Sequence, residues 1–362
     1  MTRIIYGFSG EGSGHSSRTR EMARCLLQDG HELRLASYDR GYRNLADEFD
    51  VREIEGLTIS SEDNRVSKFR TLTENLKRLP AGHRQLGQLR DLFHAFEPHV
   101  VITDFEPMTA YLAEYYGIPL ITIDNQQRMR YVDYGIPPGQ ELDAKLTRRL
   151  IRIVVPWPSV SLITAFTAGK LRNQRSFLFP PIVSEDVQQL RPTVGDSLLV
   201  YLTSGFDSLL EILKTYPQEQ FTVYGYDRSA TDHNLTFKPA SRDGFLRDLA
   251  SCKGVIATAG FTLISEALFL AKPYLAFPMD GQFEQELNAF QLANCGYGAA
   301  MPELNATGVG DFLYRLPEFA DQLRNYDSDP GSAIKQKLLE LVADNGSLAA
   351  EFKKQRKTER SG

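Results

Sequence analysis

Apolar residues fall along this chain in short blocks, each followed by a longer stretch with helical spacing. The blocks "RIIYGF" (3–8), "ELRLAS" (32–37), "HVVITDF" (99–105) and "PLITID" (119–124) read as buried parallel strands. Their alternation with amphipathic segments is the pattern of an open α/β sheet. The segment after the first block keeps Met22, Ala23, Leu26 and Leu27 on one face and stops at Gly30, which predicts a helix. Residues 62–96 are polar and predict helix without a strand, an insert of the kind that shapes a cleft. The proline-bearing stretch "LFPPIVSEDVQQLRPTVGD" (178–196) reads as a linker. Strand blocks then restart with "SLLVYLTSG" (197–205), "FTVYG" (221–225), "GVIATAG" (254–260) and "YLAFPM" (274–279). Residues 306–351 predict mostly helix, and "KKQRKTERSG" (353–362) predicts a disordered charged tail. The expected division is therefore 1–177, a linker at 178–196, 197–330, and a C-terminal segment at 331–362 that crosses back before the tail.

Composition narrows the classes. A length of 362 residues exceeds one ordinary core and favours two domains. The net charge of −5 argues against nucleic-acid binding, which needs a strongly basic surface. Cys25, Cys252 and Cys295 are odd in number and far apart, so neither a disulfide framework nor a metal-ligand spacing is expected. No signal-peptide pattern opens the chain, and no apolar run approaches the ~18 residues of a membrane span. A reducing, cytoplasmic location is expected. "DSD" (327–329), beside Pro330 and Gly331, reads as a turn rather than a metal site, and no metal or cofactor is expected.

Two stretches carry candidate chemistry. The first, "GFSGEGSGHSSRTREMARCL" (7–26), places glycines between a strand and a helix start. It fails the dinucleotide fingerprint, because His15 or Ser17 stands where a small residue must pack, and it has no Walker lysine. Gly12, Ser13 and Gly14 still allow close approach to the backbone, and the helix start favours negative charge. A histidine here, His15, suits a general base, since imidazole ordinarily titrates near neutrality. The alternative is a histidine that only packs or caps. Asp104, ending its strand at the same sheet edge, is its candidate partner, or else a cap for the helix at 107–116. Asp124 and Asn125, after "PLITI", also lie at a sheet edge and are expected to line a cleft.

The second stretch runs from 258 to 298. A strand ends at Gly260, and a helix is expected from about Thr262 to Ala271, its N-terminus an anion cradle. Glu266, one turn in, can accept both hydroxyls of a ribose, or can simply be a carboxylate favoured by the helix dipole. Glu284, Gln285 and Asn288 open the next helix and are candidates for sugar hydroxyls.

Together these motifs resemble the donor-binding signature of GT-B glycosyltransferases, both the plant-type family 1 enzymes and the MurG-like family 28 enzymes. The elements are Gly260, Glu266, Lys272-Pro273, Pro278 and Glu284-Gln285-x-x-Asn288-Ala289, with "GSGH" similar to the loop of the base histidine. The chain looks closest to the bacterial and archaeal "predicted glycosyltransferase" group. The resemblance implies an α/β fold of two Rossmann-like domains facing across a cleft. It implies an inverting, metal-independent transferase that uses a nucleotide-diphosphate sugar, read as UDP-linked, and an acceptor hydroxyl. Gly12, Ser13, Gly14, Ser204, Gly205, Phe237, Gly260, Phe261, Thr262, Glu266, Glu284, Gln285 and Asn288 would contact substrate, with Phe237 beside the base and Ser241 capping the next helix. His15 and Asp104 would be catalytic. The chain departs from the plant-type signature in having Thr258 where a phosphate-binding histidine opens it, and in lacking the tryptophan that stacks on uracil.

"GSGHSSR" also resembles the Gly-His-x-x-Arg loop of sugar-nucleotide hydrolases, and UDP-sugar 2-epimerases share the fold. A non-catalytic sugar-nucleotide sensor is the alternative from another class. Finally, "TRRLIRIVVPWPSVSLI" (147–163) mixes arginines with apolar residues and the only tryptophan. It reads as a cationic helix end running into a buried strand, or as a membrane-surface patch feeding a lipid-linked acceptor.

Overall fold

A computed structural model describes residues 1–56, 61–62, 65–66, 86–202, 206–326 and 329–361. Two seven-stranded sheets, one in each half, organise the chain. The first contains β1 (Arg3–Phe8), β2 (Glu32–Ser37), β3 (Val51–Glu53), β4 (Val100–Asp104), β5 (Leu120–Asp124), β6 (Val160–Thr164) and β7 (Ser176–Phe179). Their spatial order is β7-β6-β5-β4-β1-β2-β3, all parallel. All five residues of β4, β5 and β6 are buried, as both faces of the sheet are covered.

The second sheet contains β8 (Ser197–Tyr201), β9 (Gln220–Tyr224), β10 (Ala230–Asp232), β11 (Leu235–Phe237), β12 (Gly254–Thr258), β13 (Tyr274–Phe277) and β14 (Gly298–Ala300). It is ordered β10-β11-β9-β8-β12-β13-β14, with only the β10–β11 pair antiparallel. These are two Rossmann-like bodies, the architecture that the resemblance implies.

Register aligns the ends that matter. Phe8 pairs with Asp104 across β1 and β4, and Thr258 with Phe277 across β12 and β13. The loops after β1, β4 and β12 thus leave the carboxyl edges of their sheets, where open α/β folds bind ligands. The helices that follow are α1 (Gly14–Gln28), α2 (Pro107–Tyr115), α3 (Arg128–Tyr131), α4 (Glu141–Val154), α5 (Phe261–Phe269), α6 (Phe283–Asn294), α7 (Ala306–Leu323) and α8 (Ser332–Ser361).

The last helix packs on the first body. Ile334, Leu338, Leu341 and Val342, spaced for one helix face, join Ile4, Tyr6, Val100 and Leu162 in one core cluster. Truncating Leu338 or Leu341 to alanine should cost about 2–5 kcal/mol. The helix is interrupted at Ala343–Gly346, where Asp344, Asn345 and Gly346 all take positive φ. Gly346 is required there twice over: its φ is +76°, and a Cβ would collide with Val100.

Three expectations are corrected. The charged tail is helical to Ser361, not disordered. Its Lys353 donates to the Ile118 carbonyl and Arg356 pairs with Glu114 at 2.8 Å, so these two cations are held by the first body. The linker does not begin at 178: Ser176–Phe179 is an edge strand, with Leu178 opposite Ile163, and Phe177 and Phe179 pack on the core. Within 62–96, Ser61–Glu62 pairs with Arg65–Val66 before the helix at 86–96.

Candidate active site

The turn after β1 carries the chain into α1, whose N-cap Ser13 makes no side-chain cap. His15, in the first turn, places Nδ1 2.7 Å from Asp104 Oδ1. Arg18, one turn further on, donates from Nε to Asp104 Oδ2 and from Nη2 to Oδ1, both at 2.7 Å. Asp104 is fully buried. Burial pushes its carboxyl up, but the charges and hydrogen bonds of Arg18 and His15 outweigh burial and hold it below the usual carboxylate range. The cap of α2 is a different residue, Glu106, which accepts from the Met108 and Thr109 amides at 2.7 and 2.8 Å. Asp104 is therefore free of the capping role that the sequence left open for it. Phe105, between the two carboxylates, takes a positive φ of 58° as the chain turns from β4 to α2.

These distances assign the proton of His15 to Nδ1, donated to Asp104. Nε2 then carries a lone pair. Arg18 Nη2 also approaches His15 Nδ1, at 3.2 Å, because both groups share Oδ1. The cluster can take a proton at Nε2 and stabilise the resulting imidazolium through Asp104, with Arg18 holding the carboxylate in place.

The second half meets this loop directly. A Cβ added at Gly14 would collide with Thr262 Oγ1, so the starts of α1 and α5 stand against each other. The N-cap of α5 is Gly260, which offers no side chain, so the first amides of Phe261 and Thr262 are uncapped. Two open helix N-termini thus converge on one place, which suits a diphosphate. The helix begins at Phe261 rather than Thr262 and ends at Phe269 rather than Ala271.

Glu266, in the second turn of α5, is 9% exposed, and its carboxylate has no hydrogen-bond partner among the described residues. Burial pushes it up to about 7; Arg242 pulls it down and Asp186 pushes it further up.

The three residues of α6 expected to reach sugar hydroxyls are engaged by protein. Glu284 accepts from Asn125 Nδ2 at 2.7 Å and Gln126 Nε2 at 3.3 Å. Gln285 accepts from the Met279 amide and donates to Gln282, fixing the loop before α6. Asn288 is fully buried, donates to the Ala259 carbonyl at 2.8 Å, and accepts from Arg128. Asn288 therefore supports the start of α5 from behind and does not face open space, while Gln285 is half-buried. Phe237 is also corrected: it is a core residue of β11, with the Arg228 guanidinium 3.9 Å over its ring, and leaves no face for a base. Ser241 caps the helix Arg242–Ser251 by accepting from the Gly244 amide. Asp124 and Asn125 are buried as well. Asp124 accepts from the Gln127 amide at 2.6 Å, and its burial, with Asp104 nearby, pushes it up to about 7. Ser204 and Gly205 lie outside the described residues.

The residue the sequence reading missed is Arg128. It leaves α3, enters the seam between the two bodies, and donates to Asn288 and to Gln291 Oε1. Its guanidinium lies 5.6 Å from the Phe261 ring centroid, beside the first residue of α5. Its hydrogen-bond partners are amide oxygens; burial pushes its guanidinium down, and the nearby Glu284 charge pulls it back up. The polar run "DNQQR" straight after a fully buried strand was the available signal.

Comparison with known proteins agrees with this fold. A solved glycosyltransferase of kitacinnamycin superposes with a TM-score of 0.68 at 15% identity, covering 95% of this chain and 99% of that one. A spinosyn rhamnosyltransferase complexed with thymidine diphosphate gives 0.62 at 15% identity, covering 94% and 100%. In sequence, an uncharacterized glycosyltransferase of Methanosarcina acetivorans is 28% identical over 330 residues, 82% of this chain and 84% of the relative. A second from the same organism is 25% identical over 397 residues, 98% and 99%. Residues 2–317, which contain both bodies and both helix starts, match the family described as Glycosyl transferase family 1. The chain is thus a glycosyltransferase that belongs to glycosyl transferase family 1.

Proposed function

We propose that the protein is an inverting, metal-independent transferase that moves a sugar from a UDP-linked donor to an acceptor hydroxyl. The second body holds the donor: the diphosphate lies at the uncapped start of α5, and the ribose at Glu266. Arg128 and the two helix N-termini supply the positive field on which the leaving diphosphate develops its charge. His15 Nε2 takes the acceptor proton as the acceptor oxygen attacks the anomeric carbon and the bond to the diphosphate breaks on the opposite face. The observation that carries this reading is the His15–Asp104–Arg18 cluster standing where Gly14 meets Thr262. The three free cysteines support a reducing, cytoplasmic setting.

Arg18 completes the Gly-His-x-x-Arg pattern from within the cluster, and that supports a second reading in which water replaces the acceptor. A thermal-shift screen over UDP-, dTDP- and GDP-sugars identifies the donor, because binding raises the melting temperature by mass action. Release of UDP is then followed without acceptor. Fast release with free sugar assigns a hydrolase; slow release that an added alcohol accelerates assigns a transferase. His15→Ala should lower turnover roughly 10²–10⁴-fold with UDP binding retained. Near-normal turnover in that variant overturns the assignment of the base.

A further inference from the structure

Helix α4 has two faces with opposite surroundings. Ala144, Ile151 and Val154 are buried, and the first two pack with Met129 of α3 and with Phe283 and Leu287 of α6. On the opposite face Leu142, Leu146, Leu150 and Ile153 are 66, 44, 54 and 64% exposed. Their spacing of four, four and three residues keeps them within an arc of about 80° and along about 16 Å of the helix. Single exposed leucines are ordinary, but a continuous ridge on one helix marks an interface. Lys145, Arg149 and Arg152 are exposed along one flank of that ridge.

At its C-terminal end the ridge runs into a cavity of about 520 Å³ lined by Arg130, Arg152, Arg175 and Arg356 together with Tyr111 and Trp157. Arg356 is paired with Glu114 and Arg175 with Glu359. Arg130 donates only to the carbonyls of Val155 and Pro156, and Arg152 has no carboxylate partner among the described residues. Burial pushes the Arg130 guanidinium down; Arg152 and Arg175 add to that, and Tyr131 and Asp124 oppose it. Tyr111 packs edge-on against Trp157, and Tyr115 on the same helix is exposed.

We propose that α4 and the arginine-lined cavity form a docking surface for a bilayer carrying anionic phospholipids. The leucine ridge enters the headgroup boundary, the basic flank faces the lipid phosphates, and the cavity takes one headgroup phosphate beside the aromatic pair. An apolar ridge with a basic flank is the design of interfacial helices, and Trp and Tyr concentrate at the same depth. Complementary charge selects an anionic surface. The inference is independent of the transferase reading, because its readout is vesicle binding alone.

Flotation of the full chain with phosphatidylcholine vesicles, with and without phosphatidylglycerol, tests it. The wild type should float with the anionic vesicles and remain largely behind with the neutral ones. Leu146→Ser with Leu150→Ser should lower partitioning roughly tenfold or more. Arg149→Gln with Arg152→Gln should abolish most of the preference for phosphatidylglycerol, at roughly fivefold for each charge. All four positions are exposed, so the thermal melts should match that of the wild type. Equal flotation on both vesicle types, or unchanged flotation of the leucine variant, overturns the proposal. So does a leucine variant that turns a dimer into a monomer in sedimentation, which would make the ridge a contact between two copies. Saturable binding of inorganic phosphate without vesicle binding would leave only an anion pocket and also overturns it.

Discussion

Asp104→Asn probes the whole cluster with one atom exchanged. In the wild type Oδ1 receives His15 Nδ1 and Arg18 Nη2, and Oδ2 receives Arg18 Nε, each at 2.7 Å. An asparagine has one oxygen and one NH₂ to meet these three donors. With its oxygen toward His15, its NH₂ opposes Arg18 Nε. With the amide flipped, its NH₂ opposes Arg18 Nη2 and forces the proton of His15 onto Nε2, the atom needed as base. Arg18 is left as a buried guanidinium without a counter-charge, which costs about 3–5 kcal/mol in buried pairs of this kind. In a domain of about 150–250 residues, the size of the first body, each kcal/mol lowers the melting point by about 2–4 °C, so a fall of about 6–20 °C is expected for that body's transition. Turnover at saturating donor should fall roughly 10²–10⁴-fold even at temperatures where the variant is folded, while UDP binding holds. The acid limb checks the sign. The wild-type carboxyl is held below its ordinary value, so its stabilisation is present above the unfolded carboxylate range and is lost as pH falls through the lower folded value. The variant should lack that limb. An Asp104→Asn protein that melts and turns over like the wild type would falsify both the ion pair and the orientation of His15.

Glu266 has the opposite sign. Its carboxyl is raised to about 7, so stability is fully present below the ordinary glutamate range and declines as pH rises through about 7. Glu266→Gln should flatten that decline in a pH series of melts. Ribose hydroxyls favour the ionised form, so UDP binding should tighten as pH rises through the same range, and Glu266→Ala should cost about 1.5–3 kcal/mol of it; an unchanged dissociation constant removes Glu266 from the site. Arg128→Met should weaken UDP by about 1.5–3 kcal/mol and leave uridine unaffected, and equal losses for both ligands in calorimetry would place Arg128 away from the diphosphate. Turnover should survive a chelator, since helix N-termini and Arg128 supply the positive field; activity that vanishes and returns with magnesium or manganese refutes this.

The sheet was legible wherever burial was two-sided. "VVITD", "LITID" and "GVIAT" are apolar on both faces because helices cover both, and each became a strand with the expected bounds to within two residues. Edge and terminal elements were not legible, because partners distant in sequence decide them. Ser176–Phe179 is a strand because Ile163 lies beside it. "KKQRKTERS" reads as solvated charge until Glu114 and the Ile118 carbonyl stand opposite Arg356 and Lys353. Composition registers the charges and not their neighbours.

The same division runs through the candidate site. Groups that act through backbone geometry, the glycines before α1 and Gly260 before α5, can be read locally, because a strand, a glycine and a helix start fix where the amides point. Side chains on a helix are harder, since one carboxylate or amide can face ligand, partner domain or core. Glu284 and Asn288 match a sugar-binding pattern, yet the closed seam gives them to Asn125 and Arg128. Arg18 is one helical turn from His15, and that spacing alone puts both on one face. What spacing could not supply was the buried carboxylate between them, because Asp104 lies 89 residues from His15 and arrives only through the pairing of β1 with β4. The chemistry of the loop is therefore a property of sheet register: move β4 by one residue and Asp104 turns to the other face, leaving Arg18 without its counter-charge and His15 without its orienting group.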